Sequence, residues 1–386
     1  MSKPINYGSQ KIDNQDIKNV IKSLKQKLLT TGPLTNLFEK KIKKKLNVKN
    51  AHVCNSGTSA IYLALKSIDV KKGDVVICPS VNFVASANML KNLGAKIVFS
   101  DVDPENSQSR PDQIIECIKK NKLKKIKALI VMYNGGYPRY IEEYRNLKKK
   151  FSFILIEDAC HAFGSSYKIN NKTFFIGSCK HADISTFSFH PLKTITTCEG
   201  GLVTTNNKFF SNKIKLFRSH GITKSLNYWK YDVVENGYNF RLSDVNSALG
   251  ISQLNKVNKI LNLRKKIYHY YRKKLNNYKN VIKFVNPELN TRPSYHLIIS
   301  IINFQKLKIS KNNLIKEMNR NNIFPQVNYI PIYKFTSYKN YEFPLKGAEK
   351  YYKSCLSLPI HLNLSYFELD RVVKVLKKII DRCKKD

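Results

Sequence analysis

Residues 185–201 read S-T-F-S-F-H-P-L-K-T-I-T-T-C-E-G-G. A β-branched and aromatic run reaches Phe189, and a turn built on Pro191, threonines and the Gly200-Gly201 pair follows it. Lys193 falls inside that turn, with Ser188 before it and Thr194 after it. An amine held just past a strand end, with hydroxyls on both sides, suits covalent capture of an aldehyde as a Schiff base. The competing reading is a solvated surface charge, since the chain carries 68 Lys and Arg residues. Only the partners of Lys193 can decide between the two.

Moving outward, short apolar runs alternate with helical spacing. Strands are predicted at 51–54, 75–78, 97–100, 128–132, 153–156, 184–189 and 202–205, with helices from 59 and over 85–93, 111–121 and 139–149. This rhythm predicts an α/β domain around a mainly parallel, seven-stranded sheet with helices on both faces. Apolar positions at helical spacing over 11–28, then a helix over 36–46, precede it. From about residue 245 the texture changes to a long helical stretch, a helix over 267–275, strands at 296–302 and 324–329, and a last helix over 366–380. The expectation is a large domain over 1–244 and a smaller α+β domain over 245–386.

Composition removes several function classes. No apolar run approaches the roughly 20 residues a membrane helix needs, and the first residues lack the apolar core of a signal peptide, so a soluble, cytoplasmic protein is expected. Eight cysteines are scattered without a C-x-x-C pair or a Cys/His cluster at zinc spacing, so no metal site is expected. The net charge of +41 raises nucleic-acid binding. Against it, the lysines are spread along the whole chain, and no basic tail or RNA-binding aromatic signature accompanies them. A solvated basic surface that favours anionic substrates is preferred, with no nucleic-acid partner.

In such sheets ligands bind beyond the carboxyl ends of the strands, and the polar residues gather there. N-S-G-T-S at 55–59 presents backbone N–H groups and hydroxyls at a helix start, which suits a phosphate; a plain N-cap is the alternative. Asp158, in I-L-I-E-D-A-C-H, ends an apolar strand, where a carboxylate needs a cation such as a protonated pyridine nitrogen. A helix cap or a metal ligand is the alternative there. His161 would lie near it on a turn, as a ring contact or as a structural histidine. Phe83 offers a face for a flat ring or simply fills core.

The order of these pieces carries more than any one of them. A phosphate turn, an aromatic, D-x-x-H at a strand end, then S-F-H-P-x-K and E-G-G resembles the DegT/StrS-type nucleotide-sugar aminotransferases, which have the pyridoxal-phosphate aspartate aminotransferase fold (fold type I). The resemblance spans the chain: I-N-Y-G-S-Q at 5–10, L-T-T-G-P at 29–33, G-Y-N-F-R-L-S-D-V-N-S-A-L-G at 237–250 and L-S-L-P-I-H at 356–361 belong to it. Within the family, L-F-R-S-H-G at 216–221 and Q-V-N-Y-I-P-I-Y at 326–333 look most like the pseudaminic-acid branch.

The resemblance implies pyridoxal 5′-phosphate held covalently by Lys193, with Asp158 at the ring nitrogen and His161 and Phe83 at the ring. It implies Ser56, Gly57, Thr58 and Ser188 at the phosphate, and Asn239 reaching the phosphate of the other subunit in a homodimer with shared sites. Tyr7, Lys27, Leu28, Leu29, Thr30, His190, Gln326, Val327, Asn328 and Tyr329 match substrate-contacting positions. The implied reaction moves an amino group from L-glutamate, giving 2-oxoglutarate, to C4 of a UDP-linked 4-keto-6-deoxy-N-acetylhexosamine.

Two positions depart from the pattern. Asn328 stands where the branch usually carries His, and M-Y-N-G-G-Y-P at 132–138 replaces the commoner A-G-x-P form. Relatives that dehydrate rather than transaminate replace the lysine with histidine, and a non-catalytic regulator of the same fold would show a broken lysine or aspartate. Lys193 and Asp158 stand against both.

Overall fold

In the computed structural model the described residues are 3–224, 227, 229–339 and 345–384. A seven-stranded sheet is built from β1 (Asn50–Cys54), β2 (Val75–Pro79), β3 (Lys96–Ser100), β4 (Ala128–Met132), β5 (Ile154–Asp158), β6 (Ile184–Ser188) and β7 (Gly201–Thr205). Its order is β1-β7-β6-β5-β4-β2-β3. β7 runs antiparallel to both of its neighbours, β1 and β6, while the pairings of β2 through β6 are parallel.

A mainly parallel sheet is covered on both faces, which is why its strands read as continuous apolar runs. All five residues of β4 are buried. Side chains alternate between two cores: Val76, Ile130 and Ile156 face one, and Val53, Ile77, Leu129 and Leu155 face the other. α1 (Asn14–Leu24) packs on the helix Asp244–Asn255, and the helices that cover the sheet include α2 (Pro33–Leu46), α3 (Gly57–Ser67), α4 (Ala85–Asn92), α5 (Pro111–Lys120), α6 (Ile141–Phe151) and α7 (Lys208–Arg218). Beyond them come α8 (Asp244–Asn255) and α9 (Val257–Lys274), then a three-stranded antiparallel sheet of β8 (Ile282–Phe284), β9 (Ile298–Ile302) and β10 (Cys355–Leu358), in that order. Against this sheet and α9 packs α12 (Tyr366–Cys383), with α10 (Lys311–Arg320) and α11 (Lys346–Ser354) preceding it. Among the described residues no helix is long and apolar enough to cross a membrane.

The differences from the sequence reading have physical causes. The predicted helix over 36–46 begins at Pro33, because the buried carboxylate of Asp244 accepts from Gly32 N (3.1 Å), Leu34 N (3.0 Å) and Thr35 Oγ1 (2.6 Å) and so caps its first turn. A cap supplied from more than 200 residues away leaves no local signature. Asp158 is the last residue of β5, where a strand had been predicted to end at 156. The strand predicted over 324–329 shrinks to Ile323–Phe324, paired in parallel with Ile5–Asn6 near the start of the chain. The rest of that run forms a loop facing a cavity. A hairpin of Ser166–Ile169 and Lys172–Phe175 had no counterpart in the sequence reading.

Candidate active site

The carboxyl ends of β5 and β6, the start of α3 and the loop over 326–330 enclose a cavity of about 470 Å³. β6 delivers Ser188 and, past its end, His190 and Lys193; β5 delivers Asp158, Cys160 and His161. These side chains face one space because parallel strands end in register at the same edge of the sheet.

Lys193 lies partly buried in the cavity wall, its backbone N–H held by His190 O (2.9 Å). Enclosure by protein pulls its ammonium below the usual lysine value, with Cys160 and Asp158 opposing the shift. The surface-charge reading of Lys193 is thereby excluded. Asp158 is buried, and its contacts are all to neutral donors: Asn82 Nδ2 (3.0 Å), Ser86 Oγ (3.2 Å) and the backbone of Cys160 (3.3 Å). A buried carboxylate held only by neutral donors is suited to pair with a cation placed in the cavity.

His161 is fixed at both ring nitrogens. Gly135 N–H donates to Nδ1 (3.2 Å), so the ring proton sits on Nε2 and is directed to Tyr329 Oη (3.0 Å). Burial, and then the charge of Lys193, hold its pKa well below the ordinary histidine value, so it is neutral. Phe83 is 55% exposed and faces the cavity 6.0 Å from the Tyr329 ring, so it is not core filling.

The helix start of α3 is both a cap and an open anion cradle. Ser56 Oγ accepts from Ser59 N (3.0 Å), while Ser56, Gly57 and Thr58 line the cavity. A Cβ on Gly57 would stand 2.7 Å from Ser188 Cβ, so only glycine lets the helix start approach the end of β6 this closely.

Tyr7, His190, Gln326, Val327, Asn328 and Tyr329 also line the cavity. Lys27, Leu28, Leu29 and Thr30 are exposed on the connection between α1 and α2, and Asn239 is exposed beside Asn55; none of these five lines the cavity of its own chain. Three residues were missed as site members. Asn82 and Ser86 hold Asp158, and His296 lines the cavity with its ring 4.2 Å from that of His161 and its Nδ1 buried without a partner. Asn82 sits at a strand end where polar residues were expected to gather; Ser86 and His296 carry no such signal.

Pyridoxal phosphate fits these groups. The cradle at Ser56, Gly57, Thr58 and Ser188 matches its phosphate, the neutral-donor cage of Asp158 leaves a negative charge for its ring nitrogen, and the depressed Lys193 amine matches its aldehyde.

Known proteins give the same picture. The profile of the DegT/DnrJ/EryC1/StrS aminotransferase family matches residues 10–377. A Campylobacter jejuni protein named UDP-4-amino-4,6-dideoxy-N-acetyl-beta-L-altrosamine transaminase is 38% identical over 385 residues, covering 99% of each chain. Among solved structures, the Helicobacter pylori aminotransferase involved in the biosynthesis of pseudoaminic acid superposes with a TM-score of 0.89 at 31% identity, over 98% of this chain and 100% of that one. A Streptococcus pneumoniae chain described as a candidate sugar aminotransferase, in its PLP form, does so with a TM-score of 0.89 at 26% identity, over 98% of this chain and 99% of that one. Sheet, cavity and relatives converge on one statement: the chain belongs to the DegT/DnrJ/EryC1/StrS aminotransferase family, whose enzymes depend on pyridoxal phosphate.

Proposed function

We propose that the protein transfers the amino group of L-glutamate to C4 of a UDP-linked 4-keto-6-deoxy-N-acetylhexosamine, giving UDP-4-amino-4,6-dideoxy-N-acetyl-β-L-altrosamine for pseudaminic acid biosynthesis. The observation that carries the reading is a depressed, enclosed Lys193 amine sharing one cavity with a caged Asp158 carboxylate, in a chain 38% identical to a relative of that name.

Lys193 would hold pyridoxal phosphate covalently and release it to the amino group of glutamate, and the cofactor would then supply the electron sink that makes the amino-bearing carbon acidic while the Lys193 amine is free. Ser56, Gly57, Thr58 and Ser188 hold its phosphate, and Phe83 and His161 flank its ring. Asp158 keeps the ring nitrogen protonated. The Lys193 amine takes the proton from the α carbon of glutamate and delivers a proton to C4 of the sugar in the second half-reaction. Its lowered pKa increases the fraction of free base near neutral pH.

The nucleotide sugar is bound from the side of Tyr7, His190 and 326–329. Lys27 to Thr30 and Asn239 are exposed and do not line the cavity of their own chain. They act in the site of a second copy, in a homodimer whose halves complete each other. Residues 1–244 carry the cofactor, and 245–386 close over it.

The test begins with protein reconstituted with pyridoxal phosphate and treated with glutamate, and then offers UDP-, GDP- and dTDP-linked 4-keto sugars in separate reactions. Amination of the UDP-N-acetyl sugar at C4 is expected. Turnover of a GDP- or dTDP-linked sugar alone would overturn the assignment of substrate, and a protein that takes up no cofactor would overturn the reaction.

A further inference from the structure

Both departures from the family pattern meet at one place behind the cavity. Asn134, in M-Y-N-G-G-Y-P, is fully buried, and its Nδ2 lies within donating distance of the backbone carbonyl of Asn328 (3.1 Å), Ser107 Oγ (2.6 Å) and Tyr351 Oη (3.2 Å). The hydroxyl of Tyr351 donates to the same Asn328 carbonyl (2.6 Å). Rotating the Asn134 amide would set its oxygen against that carbonyl, so the acceptor fixes its orientation. The next residue of the turn, Gly135, donates its N–H to His161 Nδ1 (3.2 Å), and His161 Nε2 lies 3.0 Å from Tyr329 Oη.

These contacts form a closed circuit. The turn at 134–135 holds His161 with one residue and the loop at 328 with the other, and the adjacent loop residue, Tyr329, closes back onto His161. The turn is compatible with this only as Gly-Gly: φ is +69° at Gly135 and +82° at Gly136, and a Cβ on Gly136 would lie 1.9 Å from Ser294 Oγ and 2.4 Å from the His161 carbonyl.

The circuit also sets the direction of a proton. Because Gly135 forces the His161 proton onto Nε2, Tyr329 Oη accepts from it, and its own hydrogen is left to point elsewhere. Tyr329 lines the cavity, and burial raises its pKa above the ordinary phenol value, so that hydrogen stays on.

We propose that Asn134 is a positioning residue for the nucleotide-sugar subsite, holding the loop of residues 326–329 so that Tyr329 presents a hydrogen-bond donor to the sugar. The proposal rests on the reaction assigned above and adds to it the residue that orders the sugar half of the site. The glutamate half-reaction turns on the Lys193 amine, and the loop carrying Tyr329 serves the sugar half. Loss of the Asn134 contact therefore acts on the two half-reactions unequally.

The test uses the holoenzyme with L-glutamate and with the UDP-linked 4-keto sugar, followed separately. Asn134→Ala is expected to raise KM for the sugar by about tenfold, the size of one buried hydrogen bond, and to leave the glutamate-driven loss of the cofactor's absorption band at its wild-type rate. Tyr351→Phe removes the second donor to the same carbonyl and is expected to show the same split; it decides the matter if Asn134→Ala does not fold. Equal losses in both half-reactions, or a sugar KM within twofold of wild type, overturn the proposal. A wild-type enzyme that aminates no UDP sugar overturns the assigned reaction and this subsite with it, whereas an active wild type beside an unchanged variant overturns the role of Asn134 alone.

Discussion

In the proposed reaction Lys193 and Asp158 divide the chemistry of the cavity, and each has a substitution that isolates its part. Lys193→Ala removes the amine without disturbing the backbone hydrogen bond to His190 O. The absorption band of the covalently held cofactor should vanish, and kcat should fall by about 10²–10⁴, the usual worth of a positioned proton carrier. Retention of both would refute the role. Asp158→Asn keeps the shape that Asn82 and Ser86 grip but removes the charge. Cofactor should still bind, with kcat reduced far more than KM for glutamate, as measured in steady-state assays. A variant as fast as wild type would show that the ring nitrogen needs no carboxylate. Both residues were legible in the sequence, Asp158 as the last residue of an apolar strand and Lys193 in the turn just past one. Their helpers Ser86 and His296 were not, because a serine inside a helix and a histidine before a strand look the same wherever the chain then folds.

At the level of elements, two junctions position the site. The start of α3 approaches the end of β6 only because residue 57 has no side chain. Gly57→Ala, which must push the helix start from Ser188, should weaken pyridoxal-phosphate binding by about tenfold or more, read as the cofactor concentration that half-saturates the apoprotein. Unchanged affinity would mean that the phosphate is held elsewhere. The start of α2 depends on Asp244, at the far end of the large sheet's sequence. Asp244→Ala strands several buried donors and should lower stability by about 2 kcal/mol or more, visible as a lower thermal midpoint; an unchanged midpoint would remove the cap from the account. Strands and helices were legible here because apolar runs and 3.6-residue spacing are local properties. The early start of α2 and the shortened strand at 323–324 were not, because a distant carboxylate decides one and pairing with Ile5–Asn6 decides the other.

At the scale of the whole molecule, the buried histidines tie stability to pH. His52, with its pKa lowered to about 3 chiefly by burial, and His161 and His296, both held well below the ordinary value, stay neutral in the folded protein. The unfolded chain binds protons at these three positions below about pH 6.5 while the folded chain does not, so their stabilisation is complete above that pH and is lost as the pH falls toward the folded values. Glu157, whose pKa is raised chiefly by burial, acts the other way, losing stability as pH rises through its folded value. The pKa values of His181, His269 and His361 are lowered chiefly by burial in the same way, and that of Glu288 is raised like that of Glu157. Six histidines against two carboxyls predict that the urea midpoint falls between pH 7 and pH 5; a midpoint that is flat or rises would contradict it. Sequence by itself determined the alternation that makes the sheet, the strand-end residues and glycines that line the cavity, and the family, because each is written in local spacing or in the order of motifs along the chain. Only the tertiary structure decided which residues cage Asp158, which tautomer His161 carries, and that the two departures at Asn134 and Asn328 touch. Those are contacts between segments from 26 to nearly 200 residues apart, and distance along a chain carries no trace of distance in space until the sheet has brought its strand ends to one edge.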